Sequence, residues 1–369
     1  NSVTTIGGSA FQGCSSLTSV TIGNSVTTIG GSAFQGCSGL TSLTIGNSVT
    51  TIGGSAFQGC SSLTSLTIGN SVTTIGDKAF QDCSSLTSLT IGNSVTTIGN
   101  NAFRDCSSLE SVAIPNSVAV IGRSAFLGCS GLTSVTIGSS VTTIGNNAFR
   151  DCSSLPSINI PDRVTSIGEG TFYGCTSLAS LAIPNLVTSI GDFAFRGCRS
   201  LTSVTIGNSV TTIGSDAFAD CINVDTLYYN AKNLTTIENS EYRYGGFRPM
   251  RLQTLVIGDS VETLPQGVFY EQSNVDTLYY NAKNLTTTAE WYNTSDEYND
   301  YGFRPMRLQT LVIGDSVETL PKGVFYGQDG LASVTIGKSV TTIEDSVFVG
   351  CGNVDTLYYN AKNLTTTAE

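Results

Sequence analysis

Residues 24–46 read NSVTTIGGSAFQGCSGLTSLTIG, and near-copies of this string lie before and after it. The opening motif NSVTTIG stands at Asn1, Asn24, Asn47, Asn70 and Asn93, and degenerate copies begin at Asn116, Ser139, Asp162, Asn185 and Asn208, each 23 residues on. Cysteines keep the same step: Cys14, Cys37, Cys60, Cys83, Cys106, Cys129, Cys152, Cys175, Cys198 and Cys221. A period of this length marks stacked units, because one short unit cannot bury its own apolar face and a neighbour can cover it. Within a unit, Leu17, Val20 and Ile22 carry the alternation of a strand, with Ser19 and Thr21 turned outward. Gly23–Asn24 signals a turn, and Val26–Ile29 is a second short extended piece. Ala33, Phe34 and Cys37 close the unit. Asp77 at the start of the corresponding segment is placed to cap a short helical turn, with Phe80 and Cys83 on its buried side.

The Leu-x-x-Leu-x-Leu element starts at Leu17, Leu40, Leu63, Leu86, Leu109, Leu132, Leu155, Leu178, Leu201, Val224, Leu252, Val275, Leu308, Leu331 and Val354. The expected fold is an α/β solenoid, mostly β. It is a curved, right-handed superhelix with one parallel sheet of about fifteen strands and short helical turns on the opposite side. The unit N-S-V-T-x-I-G-x-x-A-F-x-x-C-S-x-L-T-S-V-T-I resembles the 23-residue repeat of BspA-like leucine-rich-repeat surface proteins, closely over residues 1–222 and again over 308–369. That resemblance implies a cell-surface or secreted protein acting in adhesion, with no shared catalytic residues.

Two regions are expected in one continuous solenoid: regular repeats over 1–222, and longer, irregular repeats over 223–369 with insertions at about 238–246 and 290–302. The block beginning Asn223–Val224–Asp225–Thr226–Leu227–Tyr228–Tyr229 returns at Asn274 and Asn353. Tyr228, Tyr279 and Tyr358 thereby occupy the outward place that Thr21 holds in the first half. The insertions bring Tyr242, Arg243 and Tyr244, then Trp291, Tyr292, Tyr298 and Tyr301, with Arg248 and Arg304 in a repeated Phe-Arg-Pro-Met block. Tyr, Trp and Arg are the side chains most often found at binding hot spots, and insertions on a solenoid emerge as loops. These twelve residues form the expected ligand surface. The competing reading is that the insertions cover core between coils of unequal length.

Charge and composition narrow the chemistry. The 369 residues carry a net charge of −11 and no His. Such a surface repels phosphate backbones, so nucleic acid is not an expected partner. No apolar run reaches membrane-spanning length, so membrane insertion is not expected either. Without His or a Cys-x-x-Cys pair, zinc is not indicated. Asp296, Glu297 and Asp300 offer hard oxygens for calcium but match no loop spacing, and read as a solvated acidic loop. Nothing selects a nucleophile–base pair or two facing acids. No enzyme activity and no cofactor are expected. The cysteines lie close enough in adjacent coils for a bridge. Cys351, however, follows coils with Gln328 and Gln272 at the equivalent place, which favours small, buried free thiols.

The leading functional expectation is an extracellular or surface-displayed binder of a protein or glycan. The alternative is a structural protein that self-associates head to tail through uncapped ends. A minor alternative is an ice-binding array built from the outward Ser and Thr rows.

Overall fold

A computed structural model describes residues 3–237, 247, 250–265, 268–269, 272–286, 303, 306–360 and 366–367. The chain forms two compact units, one of Asn1–Ala179 with Phe193–Arg199, the other of Ser180–Asp192 with Ser200–Glu369. Both are stacks of β-coils with parallel, in-register pairing between successive coils.

In the first unit each regular coil has two short strands. Ser42–Thr44 is one, and it pairs with Ser19–Thr21 residue for residue. Thr51–Ile52 is the other, in a seven-stranded ladder running from Thr5–Ile6 to Thr143–Ile144. The alternation seen in the sequence is real: in Ser65–Thr67, Ser65 and Thr67 are exposed while Leu66 is buried. A glycine follows each two-residue strand of this ladder. A Cβ on Gly53 would meet the Gly30 carbonyl carbon and the Gly31 nitrogen at 2.7 Å, so the close approach of stacked backbones requires glycine there.

The core is a set of columns along the stack. Phe34, Phe57, Phe80, Phe103, Phe126 and Phe149 have ring centroids 5.2–5.5 Å apart and planes within 10°. Val49, Ile52, Ala56, Phe57, Cys60 and Leu63 show the filling of one coil, each with no exposed surface. Burial of such side chains contributes roughly 1.5–3 kcal/mol each.

The third side of the coil corrects the expectation of helical turns: the described residues contain no helix. Ser32 and Gly36 have φ of 57° and 72°, and the pattern repeats as Ser55 and Gly59, Lys78 and Asp82, and Asn101 and Asp105. Left-handed residues every four positions interrupt a right-handed helix. The N–H groups alternate as well. Those of Ser32, Phe34 and Gly36 donate to the next coil at 2.7–2.8 Å, while those of Ala33, Gln35 and Cys37 close turns three residues back. The side is thus a stack of β-turns. Asp77 is not a helix cap; its Oδ1 accepts the N–H of Asn100 in the next coil at 2.7 Å.

The expectation of one fifteen-stranded sheet is corrected too. Among the described residues the Ser-Val-Thr-Ile strands form sheets of two, four and eight, fourteen in all. The missing one is Ser157–Ile160. Where Thr133 donates its N–H to the Glu110 carbonyl at 2.9 Å, the next coil has Pro156, which has no N–H to donate.

Candidate ligand face

The second unit holds an eight-stranded parallel sheet from Ser180–Ala182 to Thr356–Tyr359. Register places Thr226–Tyr229 beside Thr254–Ile257, then Thr277–Tyr280, then Thr310–Ile313. One outward row therefore reads Thr205, Tyr228, Val256, Tyr279, Val312, Thr335, Tyr358. Tyr228 and Tyr279 are each 42 % exposed and Tyr358 59 % exposed. Tyr228 and Tyr279 stand two strands apart with half-buried Val256 between them.

Beyond the outward threonines Thr226, Thr254, Thr277 and Thr310 runs a polar row, three residues before the aromatic one. Asp225 accepts a hydrogen bond from the Thr226 hydroxyl at 2.8 Å, Asp276 from Thr277 at 2.8 Å, and Asp355 from Thr356 at 2.7 Å. Each bond holds the carboxylate on the outward side of its strand and uses one acceptor site, leaving the other oxygen able to accept. Gln253 and Gln309 take the equivalent place in the intervening coils. Past the strands, Lys232 pairs with Glu262 at 3.0 Å and Lys283 with Asp259 at 3.6 Å, so these lysines are already matched.

Beneath the face the inward positions are rigidly filled. Tyr229 and Tyr280 replace the usual Ile and are fully buried. Tyr229 meets Phe269 edge-on at 5.6 Å, and Tyr280 meets Phe325 at 5.4 Å. Burial pushes both phenols well above their ordinary ionisation range. Their hydroxyls have no hydrogen-bond partner among the described residues.

The cysteines are thiols and not disulfides, buried from Cys37 to Cys221 and exposed only at Cys14, with Cys351 half-buried. Burial raises the thiol pKa of the cysteines from Cys37 to Cys175, to about 12 for Cys60 and Cys175. From Cys37 to Cys198, and again at Cys351, the S–H donates to the carbonyl of a phenylalanine 26 residues earlier, such as Cys60 to Phe34 at 3.4 Å and Cys129 to Phe103 at 3.1 Å. Gln272 and Gln328 do the same with an amide, Nε2 reaching Phe247 O at 3.3 Å and Phe303 O at 2.8 Å. The position therefore selects a donor rather than small size, a requirement the sequence pattern of Cys and Gln carried but did not explain.

Of the expected ligand residues, Tyr228, Tyr279 and Tyr358 lie together in one exposed row. Tyr242, Arg243, Tyr244, Arg248, Trp291, Tyr292, Tyr298, Tyr301 and Arg304 lie outside the described residues, as do Asp296, Glu297 and Asp300. The row-forming partners Asp225, Gln253, Asp276 and Gln309 were not singled out by the sequence, although the repeated Asn-Val-Asp-Thr block contains the signal. Among the described residues no group of His, Cys, Asp or Glu has the arrangement of a metal site, and no helix is long and apolar enough to cross a membrane.

No curated protein matches the chain. Among solved structures, a leucine-rich repeat protein from Bacteroides ovatus is 26% identical, with a TM-score of 0.57, covering 96% of this chain and 82% of the other. A leucine rich cell surface protein from Faecalibacterium prausnitzii is also 26% identical, with a TM-score of 0.46 and coverages of 83% and 91%. A leucine rich repeat protein from T. pallidum is 30% identical over 43% of this chain and 77% of its own, with a TM-score of 0.41. The profile of the BspA type leucine rich repeat region matches residues 1–110, 96–225, 144–276 and 247–369, and with that coverage the chain belongs to the BspA-type leucine-rich-repeat family.

Proposed function

We propose that this protein is a non-enzymatic binder, secreted or displayed on a cell surface, that holds an extracellular protein or glycan on the outward sheet face of its second unit. The observation that carries the reading is the replacement of outward Ser and Thr by Tyr228, Tyr279 and Tyr358. Exposed aromatic side chains on a rigid sheet cost little ordering entropy on binding, and they stand where folding makes no demand for them. Family membership supports the repeat architecture and agrees with a surface role. The test presents the intact chain, and a variant with Tyr228→Thr and Tyr279→Thr, to a panel of immobilised extracellular-matrix proteins and glycans. Binding by the parent that the variant loses is the expected result. Equal binding by both proteins, with folding intact, places the ligand elsewhere.

A further inference from the structure

The geometry of the second unit's face points to a ligand class: an extended, β-linked glycan lying across the strands, one sugar ring per coil. This rests on the proposal that the face is the binding surface, and it narrows that proposal.

Three observations combine. First, the outward row alternates by coil, with Tyr228 and Tyr279 separated by Val256 and followed by Val312. Second, the polar row alternates in the same phase, Asp225 and Asp276 with the tyrosines, Gln253 and Gln309 with the valines. Third, parallel strands are about 4.8 Å apart, so like positions recur every 9–10 Å or so. In an extended β-linked glycan each ring is turned over relative to the last, so the same face and the same hydroxyl edge return every second ring. That disaccharide repeat is close to the two-strand step. A ring over Tyr228 stacks its apolar C–H face on the phenol, and its hydroxyl edge faces the outward Thr226 and, beyond it, the side of the Asp225 carboxylate. The following ring, inverted, passes over the smaller Val256 and beside the Gln253 amide. The third ring repeats the first at Tyr279 and Asp276. Aromatic platforms with carboxylate and amide acceptors beside them suit a ligand that is apolar on its ring faces and hydroxylated at its edges.

Tyr358 provides an internal contrast. Between Tyr279 and Tyr358 lie Val312 and Thr335, three strand steps instead of two. A glycan in phase with Tyr228 and Tyr279 is out of phase at Tyr358. An unspecific sticky aromatic patch would use all three alike.

The test is titration calorimetry on the full chain with cellobiose, cellotetraose, chitobiose and chitotetraose. At least one tetrasaccharide binds, and at least tenfold more tightly than its disaccharide, because only the longer chain spans both rings. Tyr228→Ala and Tyr279→Ala each weaken the tetrasaccharide about tenfold, or roughly 1.4 kcal/mol. Tyr228→Phe, which keeps the stacking surface, stays within about threefold of the parent, and Tyr358→Ala changes affinity less than twofold. Thermal unfolding verifies that each variant folds. Absence of binding by both tetrasaccharides, or binding indifferent to both tyrosines, overturns the inference. If Tyr228→Ala and Tyr279→Ala instead abolish binding to a matrix protein while neither sugar binds, the glycan class is wrong and the face remains the binding surface. If they alter neither, both readings fall.

Discussion

Each unit is filled by the same kinds of stacked side chain, and the two differ most on the outer face of their sheets. In the first, the outward rows read Ser19 and Thr21, Ser42 and Thr44, Ser65 and Thr67, small hydroxyls from coil to coil. In the second, Tyr228, Val256, Tyr279, Val312 and Tyr358 stand in the threonine row, which keeps threonine at Thr205 and Thr335. Inward positions are fixed by the coils on either side, so they vary little: a stacked phenylalanine, and behind it a donor to the carbonyl of the previous one. Outward positions are fixed by no neighbour above them. The second unit also changes inward residues, Tyr229 and Tyr280 standing for the usual Ile, but its outward tyrosines have no covering coil to answer to, which is why the second unit's face is the candidate for recognition. Substitutions at inward positions should therefore register in stability, and those at outward positions should not.

The largest effect is expected at the stacked column. Phe103 lies between Phe80 and Phe126 at 5.5 and 5.4 Å and is fully buried. Phe103→Ala removes contacts to both neighbouring coils and leaves a cavity that stiff stacked backbones cannot close. A loss of about 3–5 kcal/mol in urea unfolding is expected, with adjoining coils loosened because each is stabilised by its neighbours. A loss below about 1 kcal/mol would mean that the backbone ladders, and not the column, hold the first unit together.

The next effect tests whether the Cys and Gln positions have one role in both units. Gln328 donates to Phe303 O at 2.8 Å and accepts the N–H of Leu308 at 3.3 Å, all in buried surroundings. Gln328→Leu leaves two buried backbone groups without that partner, and a cost of about 2–3 kcal/mol is expected by the same measurement. Cys106→Ser in the first unit keeps a donor for Phe80 O, now 3.3 Å from the thiol, and is expected to cost less than Cys106→Ala. If serine and alanine cost the same, the thiol's hydrogen bond is incidental and the position selects for volume alone.

That position also shows what the sequence makes legible. The 23-residue step, the columns of Phe34, Cys37 and Leu40 and the outward Ser-x-Thr rows all follow from periodicity, because stacking converts a sequence period directly into a spatial column. Tyr228 is legible as outward for the same reason. The turn side was misread because Phe80 and Cys83 at three-residue spacing satisfy a helix pattern and a stacked-turn pattern equally. The discriminating signal was the pair of small or Asx residues four apart, such as Ser32 with Gly36 and Asn101 with Asp105. These are residue types that tolerate the left-handed region. The lost strand at Ser157–Ile160 was readable from Pro156. The donor role of Cys60 and Gln328 was not, because sequence shows which residues share a position and not which carbonyl faces it.

A smaller effect, of opposite sign, is expected at Phe193. It occupies the first left-handed position of its turn with φ of 56°, where Asn101 and Asn147 stand at 55° and 58° in other coils. A phenylalanine there carries strain that asparagine largely avoids. The ring gains a contact with the Arg196 guanidinium, 5.7 Å from its centroid, which offsets part of the cost. Phe193→Asn is expected to raise stability by about 1 kcal/mol. A loss instead would show that the ring packs more than its half-buried position indicates.

The smallest stability effect belongs to the face itself. Tyr279→Thr gives the second unit the outward residue of the first, at a position where the neighbouring strands supply Val256 and Val312. Threonine suits a strand as well as tyrosine does, and the ring is 42 % exposed, so the change in unfolding free energy should stay within about 0.5 kcal/mol. A loss of about 2 kcal/mol or more would make Tyr279 a packing element, stabilised by cross-strand contact with its neighbours. The two units would then differ in how they hold their sheets, not in what those sheets present, and the exposed tyrosines would no longer mark a ligand surface.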